Sequence, residues 1–495
     1  MKRGSGVLLH ISSLPGKYGI GTFGKEARAF ADFLKDAGQS FWQVLPLCPT
    51  SFGDSPYQSP SAFALNPYFI DFELLKEDGL LEIKDYRDFY SGHNSNHVDY
   101  NYLFVNHQQV LKIAFQNVGK EPHPSLERFK QANQSWLDDY ALFMALQKHF
   151  CYVGWQNWPL QIKFRKQTAL EYYKEILQEE ILYFQFIQYI ANKQWFSLKS
   201  YINQQGIQII GDLPIYVAPD SADTWSNAQE GIFKYDEKLN PLSVAGCPPD
   251  YFSQDGQYWG NIVYNWEKHK ENEYQWWLNR IKLSLTTFDW VRIDHFRGFE
   301  SYWEIPYGAE TSAYGSWKPG PGMDFINTIK STLGEVNIIA EDLGFMTEDA
   351  KDFFKESGFP GMKVLQFAFD SDSKNHYLPH NYDKNCVVYT GTHDNDTILG
   401  WFKHANEEAV KFAERYFNLN IKEGFHWGMI RGALASTANL AIIPMQDLLG
   451  LGSHARINIP STLGGLNWKW RLPSVGCASE ELAARLANLT QLYGR

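Results

Sequence analysis

Residues 287–300 read Thr-Phe-Asp-Trp-Val-Arg-Ile-Asp-His-Phe-Arg-Gly-Phe-Glu, and the rest of the chain can be ordered around them. The apolar part of this stretch, with the β-branched residues Val291 and Ile293, is typical of a short buried strand. Arg292 and Asp294 are two positions apart, so on an extended chain they point to the same face. Arg292 could therefore hydrogen-bond Asp294 and hold it as an anion ready for chemistry. A structural salt bridge would explain the pair if it stood alone.

Strand-like and helix-like segments alternate along the chain on both sides of this stretch. Eight segments have the apolar character of buried strands, and they are residues 6–11, 40–45, 207–217, 290–293, 336–340, 362–367, 387–390 and 440–444. Helical patterns are predicted at residues 25–37, 138–150, 168–205, 271–285, 324–333, 347–357 and 479–493, with two more helices between the seventh and eighth strands. Eight strand-then-helix units predict an α/β fold of the (β/α)8 TIM barrel type.

The spacing of these elements also predicts how the domain is organised. We expect a single elaborated catalytic domain over residues 1–495. A mostly helical and loop insertion over residues 49–165 follows the second strand, and a loop-rich insertion over residues 218–266 follows the third.

Composition excludes several classes of protein. The formal net charge is -11 and Lys and Arg form no long cluster, so nucleic acid is not expected as a partner. The five cysteines are scattered without a C-x-x-C pair, which fits reduced thiols in the cytoplasm. The apolar run at residues 7–11 is too short for a signal peptide, and no run approaches the roughly 18 apolar residues of a membrane span. The sequence predicts a cytoplasmic monomer or weak oligomer without a membrane partner.

A glycine-rich segment offers one competing interpretation. Residues 19–24 read Gly-Ile-Gly-Thr-Phe-Gly and formally match the dinucleotide motif G-x-G-x-x-G. The segment begins about eight residues after the first predicted strand, and no acidic residue ends the second strand to bind a ribose. A Rossmann site is therefore not favoured, and no cofactor is predicted.

Acidic residues lie at the ends of four of the predicted strands. The end of the third strand carries Asp212, and Asp294, Glu341 and Asp394 follow the fourth, fifth and seventh strands. In a barrel of this type the active site lies at the carboxyl ends of the strands, so these carboxylates are expected to converge on one mouth. Like charges in a cleft cost stability unless chemistry or a metal uses them. The simple alternative for Asp342 and Asp394 is to cap the helix that follows.

Two kinds of chemistry compete for these carboxylates. A metal site is not predicted, because the chain offers few closely spaced histidines and no H-E-x-x-H pattern. Glycosyl transfer needs a carboxylate nucleophile, a protonated carboxylic acid and anionic support for an oxocarbenium-like centre. Asp294, Glu341 and Asp394 supply these three groups. Aromatic residues make up 16% of the chain, and Trp and Tyr faces suit sugar rings.

Four segments at the predicted strand ends resemble the motifs of the 4-α-glucanotransferases, the amylomaltases or disproportionating enzymes related to the α-amylases. They are Gly-Asp-Leu-Pro-Ile-Tyr-Val at 211–217, Arg-Ile-Asp-His-Phe-Arg-Gly at 292–298, Ala-Glu-Asp-Leu-Gly at 340–344 and Thr-His-Asp-Asn at 392–395. The resemblance covers almost the whole chain, since it extends to residues 54–59, 248–253, 256–261 and 456–458.

The resemblance implies a role for each catalytic candidate. Asp294 would be the nucleophile, Glu341 the general acid and base, and Asp394 the residue that distorts the sugar and stabilises the transition state. No metal takes part in this scheme.

The resemblance also implies a set of substrate-binding residues. Arg292 and His393 would bind the sugar at the cleavage point, Asp212 would help hold the site, and Tyr57 would stack on the nearest ring. Trp259 would belong to a loop on the acceptor side. Asn458 lies in a segment that departs from the family pattern R-M-N-x-P-G-T, because Ser461 stands where the family has glycine.

The activity that follows from the resemblance is 4-α-glucanotransferase activity. Segments of α-1,4-glucan would move from a donor to a glucose or maltooligosaccharide acceptor by a retaining double displacement. An amylase-like hydrolase and a non-catalytic glucan-binding protein are the alternatives. Transfer is favoured over hydrolysis if an aromatic wall excludes water, and Tyr57, Tyr251, Phe252 and Trp259 are the candidates for that wall.

Overall fold

Twelve strands form in the computed structural model, which describes residues 2–88, 96–118, 124–249, 255–344 and 346–495. They are β1 (Gly4–Leu8), β2 (Phe41–Gln43), β3 (Gln208–Leu213), β4 (Ser243–Cys247), β5 (Gln257–Ile262), β6 (Trp290–Ile293), β7 (Ser301–Pro306), β8 (Ser316–Pro319), β9 (Ile338–Ala340), β10 (Gly361–Val364), β11 (Cys386–Tyr389) and β12 (Leu440–Pro444).

Eight of these strands form one parallel sheet in the order β10-β11-β12-β1-β2-β3-β6-β9. The first and last strands of the chain are neighbours, with Gly4 in register with Leu440. At the remaining seam, between β9 and β10, the amide of Ala340 donates to the carbonyl of Pro360 at 3.0 Å. The predicted (β/α)8 barrel is therefore confirmed, and all eight of its predicted strands are present.

Helices surround the barrel and fill the insertions. They are α1 (Lys25–Asp36), α2 (Phe72–Glu77), α3 (Tyr100–Asn117), α4 (Pro124–Ala132), α5 (Gln134–His149), α6 (Leu160–Lys163), α7 (Gln167–Ile176), α8 (Gln178–Gln204), α9 (Ala222–Ser226), α10 (Trp266–Glu271), α11 (Gln275–Thr287), α12 (Gly322–Leu333), α13 (Glu348–Ser357), α14 (Ile398–His404), α15 (Glu407–Phe417), α16 (Phe425–Ala435), α17 (Met445–Leu448) and α18 (Glu480–Leu492). No described helix is both long and apolar enough to cross a membrane.

The barrel strands are buried on both faces, as their nearly continuous apolar sequences predict. Every residue of β12 is buried. Leu440 and Ile442 belong to a compact apolar cluster with residues of β1, β2, β3, β9, β10 and β11, whereas Ala441 and Ile443 belong to the larger cluster that includes the surrounding helices. This alternation assigns the smaller cluster to the barrel interior, which is a packed core.

A second sheet is built from two insertions. Strands β5, β4, β7 and β8 pair antiparallel in that order. β4 and β5 lie in the loop-rich insertion after β3. β7 and β8 follow β6, and the sequence does not predict these two strands. β8 reads Ser-Trp-Lys-Pro and is exposed along its length, so no apolar alternation marked it as a strand.

The helices differ from expectation in two places. The helix predicted over residues 168–205 is interrupted at Leu177, between α7 and α8. Leu177 packs partly against both large apolar clusters, so tertiary packing decides a break that no Pro or Gly marks. Three helices, α14, α15 and α16, lie between β11 and β12 where two were expected.

The glycine-rich segment packs against the protein instead of forming an open phosphate cradle. A Cβ at Gly21 would collide with the carbonyl oxygen of Ile11, and one at Gly24 would collide with the carboxylate of Asp71. These glycines are needed for close backbone approach within the fold, which agrees with the sequence-based preference against a dinucleotide site.

Candidate functional site

A cleft of about 730 Å³ opens where the barrel strands end. Asp294 follows β6, Glu341 follows β9 and Asp394 follows β11, and all three side chains line this cleft. The structure therefore brings the three predicted catalytic carboxylates to one place. Asp212, the fourth carboxylate, has a fully buried side chain and lies behind the wall.

Arg292 joins two of the carboxylates. Its Nη1 donates to both carboxylate oxygens of Asp212 at 2.8 Å, and its Nη2 donates to Oδ1 of Asp294 at 2.8 Å. Its Nε contacts the sulfur of Met362 at 3.3 Å. Burial raises the pKa of Asp212, and the guanidinium opposes that shift. The side chain of Arg292 is only 4% exposed while that of Asp294 is 29% exposed, so Arg292 positions Asp294 from behind the cleft.

Glu341 has an environment that favours its neutral form. Burial raises the pKa of this carboxyl from 4.5 to about 7; the charge of Asp294 adds to the shift, and Arg292 opposes it. Two backbone amides hold the carboxyl in place, from His295 to Oε2 and from Leu343 to Oε1, each at 2.7 Å. His295 adopts a left-handed conformation with φ 50° immediately after Asp294. The end of β6 thus presents the carboxylate of Asp294 and, through the amide of His295, also holds that of Glu341.

Asp394 is oriented by the segment that follows β12. The side-chain amide of Asn458 donates to Oδ1 of Asp394 at 2.7 Å, and Nε2 of His393 lies 3.4 Å from Oδ2. Arg456 donates to the main-chain carbonyl of Asp394 at 2.5 Å. The side chain of Asp394 is 42% exposed, so it is more accessible to a ligand than the side chain of Asp294.

Neither acidic residue considered as a helix cap takes that role. Asp342 accepts a hydrogen bond from the amide of Met362 at the start of β10. Thr347 caps α13 and Thr397 caps α14. The acidic residue Asp394 is therefore free of a capping role at the next helix.

Tyr57 closes one side of the cleft. Its hydroxyl donates to Asp212 at 2.9 Å, and its ring stacks on His393 with centroids 5.2 Å apart and an interplanar angle of 14°. Burial, reinforced by the nearby Asp212 carboxylate, raises the pKa of Tyr57 well above its usual value, so the hydroxyl stays a donor. Trp468 completes this aromatic group, with its ring 5.6 Å from Tyr57 and 5.8 Å from His393.

Trp259 lines the cleft from strand β5 of the second sheet. Its ring meets that of His295 edge to face, with centroids 5.0 Å apart. Burial lowers the pKa of His295 to about 4, so this histidine is neutral at physiological pH. Tyr251 and Phe252, the other candidates for an aromatic wall, lie outside the described residues.

A loop after β12 forms another part of the cleft wall. Residues 458–463 all line the cleft. Ser461, which replaces the glycine of the family pattern, has φ 62°. The loop therefore keeps a left-handed backbone at the position where glycine would adopt it without steric cost.

Several cleft residues were not identified from the sequence. Trp468, Tyr216, Gln58, Asn261 and Leu463 line the cleft. Gln58 and Asn261 share a hydrogen bond of 2.9 Å that joins the segment after β2 to β5. Gln58, Tyr216 and Asn261 lie in the segments 54–59, 211–217 and 256–261 that resemble the family, but no role was predicted for them. Trp468 and Leu463 follow β12, and no motif marks them. Among the described residues no group of three or more His, Cys, Asp or Glu side chains is arranged to hold a metal ion.

Comparisons with known proteins give consistent matches. A family model described as 4-alpha-glucanotransferase matches residues 9–477. A 4-alpha-glucanotransferase from Clostridium butyricum is 51% identical over 488 residues, covering 98% of this chain and 100% of the relative. One from Thermus thermophilus is 44% identical, covering 100% and 99%. The structure of an amylomaltase from Streptococcus agalactiae in complex with acarbose matches with a TM-score of 0.97 at 44% identity, covering 100% of both chains.

Proposed function

The chain belongs to the family of 4-alpha-glucanotransferases, and from this membership we propose how its cleft transfers glucan segments. The activity is glycosyl transfer on α-1,4-glucans. The observation that carries the mechanism is that Asp294, Glu341 and Asp394 line one cleft in three different environments. Asp294 is held by a guanidinium, Glu341 is buried and favoured in its neutral form, and Asp394 is exposed and oriented by an amide.

In the first step Asp294 attacks the anomeric carbon of the donor. A bond forms between its carboxylate oxygen and that carbon while the glycosidic bond breaks, and Glu341 gives its proton to the departing oxygen. The product is a glucosyl ester of Asp294 with inverted configuration. Glu341 suits this step because a neutral carboxylic acid is needed, and burial favours that form.

In the second step an acceptor hydroxyl replaces the departed chain. Glu341, now ionised, takes the hydroxyl proton as the acceptor oxygen attacks the anomeric carbon and displaces Asp294. Two inversions restore the α-configuration. Asp394 faces the positive charge that develops on the sugar, and Asn458 fixes its orientation.

The other predicted residues act in two ways. Tyr57, His393, Trp259 and Asn458 line the cleft, and this position supports their proposed role in binding the sugar. The resemblance implies that Arg292 binds the sugar, but its side chain is buried and ties Asp212 to Asp294. We therefore propose that Arg292 and Asp212 act behind the wall as positioning residues. The aromatic group on the cleft wall limits the entry of water, which favours a sugar hydroxyl as acceptor.

The whole chain, residues 1–495, is proposed to act as one elaborated barrel domain with insertions over residues 49–165 and 218–266. Support comes from the cleft itself, which is lined by Tyr57 and Trp259 from these insertions together with residues of the barrel. The partners are an α-1,4-glucan donor and a glucose or maltooligosaccharide acceptor. A cytoplasmic location is supported by five cysteines that are all free.

Incubation with maltotriose tests the function. Transfer gives a ladder of longer oligomers together with glucose, without a net increase in reducing ends. A net increase in reducing ends would assign hydrolysis instead, and unchanged maltotriose would mean that the protein only binds glucan. Glu341→Gln should abolish the ladder while the protein stays folded, and a fully active variant would remove Glu341 from its role.

A further inference from the structure

A second cavity, of about 490 Å³, is separate from the catalytic cleft, and the described residues that line the two do not overlap. It lies between α5, α9 and the start of α11. Its size falls in the range of small-ligand sites. We propose that this cavity binds a short α-glucan; the choice of ligand class rests on the proposed function.

Three aromatic rings line this cavity. Phe63 lies parallel to Trp136, with centroids 6.4 Å apart and an interplanar angle of 14°. Trp276 stands edge-on to Phe63, with centroids 5.9 Å apart and an angle of 88°. Trp136 and Trp276 are both partly exposed. The indole N–H of Trp136 already donates to Asn133 at 3.2 Å, so this ring offers its flat apolar face. Partly exposed indole faces in a concave site suit the C–H faces of a sugar ring.

The polar lining selects a neutral ligand that is rich in hydroxyl groups. Asn227, Asn272, Gln275 and Asn279 line the cavity. Asn227 already donates to Asp223 and Ser226, and Gln275 donates to Asn279. The amides of Asn272, Gln275 and Asn279 still have a donor and an acceptor for a ligand. Vicinal sugar hydroxyls need this combination.

The charges of the lining exclude anionic ligands. Asp139, Asp223 and Glu230 supply three carboxyl groups, against the single guanidinium of Arg165. A phosphate or carboxylate ligand would meet more negative than positive charge in this cavity, since Arg165 already pairs with Asp139 at 2.6 Å.

Arg165 provides an additional polar group in the wall. Its guanidinium lies 4.3 Å from the ring centre of Trp225, and Nη2 is used by Asp139. The other terminal nitrogen, Nη1, is buried and has no hydrogen-bond partner in the described structure. A buried donor without a partner destabilises the fold, because its hydrogen bond to water is lost and no protein hydrogen bond replaces it.

The cavity is linked to the catalytic cleft by a short segment of chain. Gln58 lines the cleft, and Ser61 and Phe63 line the second cavity. Between them, the carbonyl of Pro60 accepts from the amide of Ala222 at 2.8 Å, and the amide of Ala62 donates to Asp223 at 2.7 Å. A glucan held in the second cavity is thus fixed against the same segment that carries a wall of the cleft.

Calorimetric titration of the full chain with maltotetraose tests the proposal. The Glu341→Gln background is used to prevent turnover, and chromatography of the sugar afterwards checks that it is intact. We expect two sites per chain. Adding Trp136→Ala should reduce this to one site, Trp136→Phe should retain two with weaker second-site binding, and Tyr172→Ala, which removes an exposed ring elsewhere, should retain two.

One site per chain in the Glu341→Gln background would overturn the proposal, and so would two equal sites that survive Trp136→Ala in a folded protein. Thermal melting checks whether Trp136→Ala folds. If it does not, the number of maltotetraose sites in the Glu341→Gln protein and the second-site affinity of Trp136→Phe still test the proposal. The maltotriose ladder of the unaltered chain is measured in parallel. A missing ladder with two binding sites would reject the transferase function alone, and a normal ladder with one site would reject this cavity alone.

Discussion

Glu341 is the residue whose titration should control the rate. Burial places its pKa at about 7, so it is protonated below that pH and ionised above it. The free enzyme needs the protonated form to release the leaving group. We therefore expect kcat/KM for maltotriose to fall tenfold per pH unit once the pH is well above 7. A profile that stays flat to pH 9 would contradict the role of Glu341 as the acid.

The same shift predicts that Glu341 destabilises the folded protein at alkaline pH. Its pKa rises from 4.5 unfolded to about 7 folded, so the folded state binds more protons between these values and stability falls as the pH rises through that window. Glu341→Gln removes this penalty, which is worth up to about 3 kcal/mol. The melting temperature of the variant relative to that of the parent should be higher at pH 8 than at pH 5. If the two melting temperatures differ by the same amount at both pH values, the pKa of Glu341 is not raised in the folded protein.

Arg292 should matter for both stability and chemistry, because it joins buried Asp212 to Asp294. Arg292→Lys keeps the charge but loses the planar fork. We expect a loss of roughly 1–3 kcal/mol in unfolding free energy and a fall in kcat of at least tenfold. Arg431, which forms a similar fork with Glu423, gives a matched control. Arg431→Lys should reduce stability without changing kcat, and equal kcat losses in both variants would refute a positioning role for Arg292.

At the scale of elements, the loop of residues 458–463 links backbone geometry to binding. Ser461 has φ 62°, a conformation that costs a non-glycine residue about 1–2 kcal/mol and a β-branched residue more. Ser461→Val should lower the melting temperature and raise KM for maltotriose several-fold by moving this wall. Ser461→Gly should change KM by less than about twofold. A Ser461→Val protein with unaltered KM would show that the loop conformation does not shape the cleft.

The sequence predicted those elements whose pattern is local. The eight barrel strands are mostly apolar, α1 follows helical periodicity, and Ser479 caps α18. The carboxylates at the strand ends follow from the fold, since parallel strands place their carboxyl ends together.

The features that could not be predicted depend on contacts between residues far apart in the sequence. Trp468 faces Tyr57, the break at Leu177 reflects packing on two clusters, and β8 has no apolar face.

At the scale of the whole molecule, the two ends of the chain meet at the base of the barrel. Arg3 donates to the carbonyls of Ser436 and Ala438, each at 3.1 Å, and Arg495 donates to that of Gly4 at 2.8 Å. Burial lowers the pKa of Arg495 to about 9, and the neighbouring charge of Arg3 adds to the shift. These contacts lie where β1 meets β12, the pairing that joins the first strand to the last.

Because the chemistry is at the opposite end of the strands, this base should affect stability alone. Arg495→Ala removes hydrogen bonds to main-chain carbonyls at the ends of α16 and β1, so we expect the melting temperature to fall by a few degrees. The transfer rate per folded molecule at 25 °C should stay within about twofold of the parent. Arg415→Ala, at an exposed position on α15, should change neither quantity. A large loss of rate at 25 °C in folded Arg495→Ala would mean that the base of the barrel is coupled to the cleft, contrary to the separation between packing at one end and catalysis at the other.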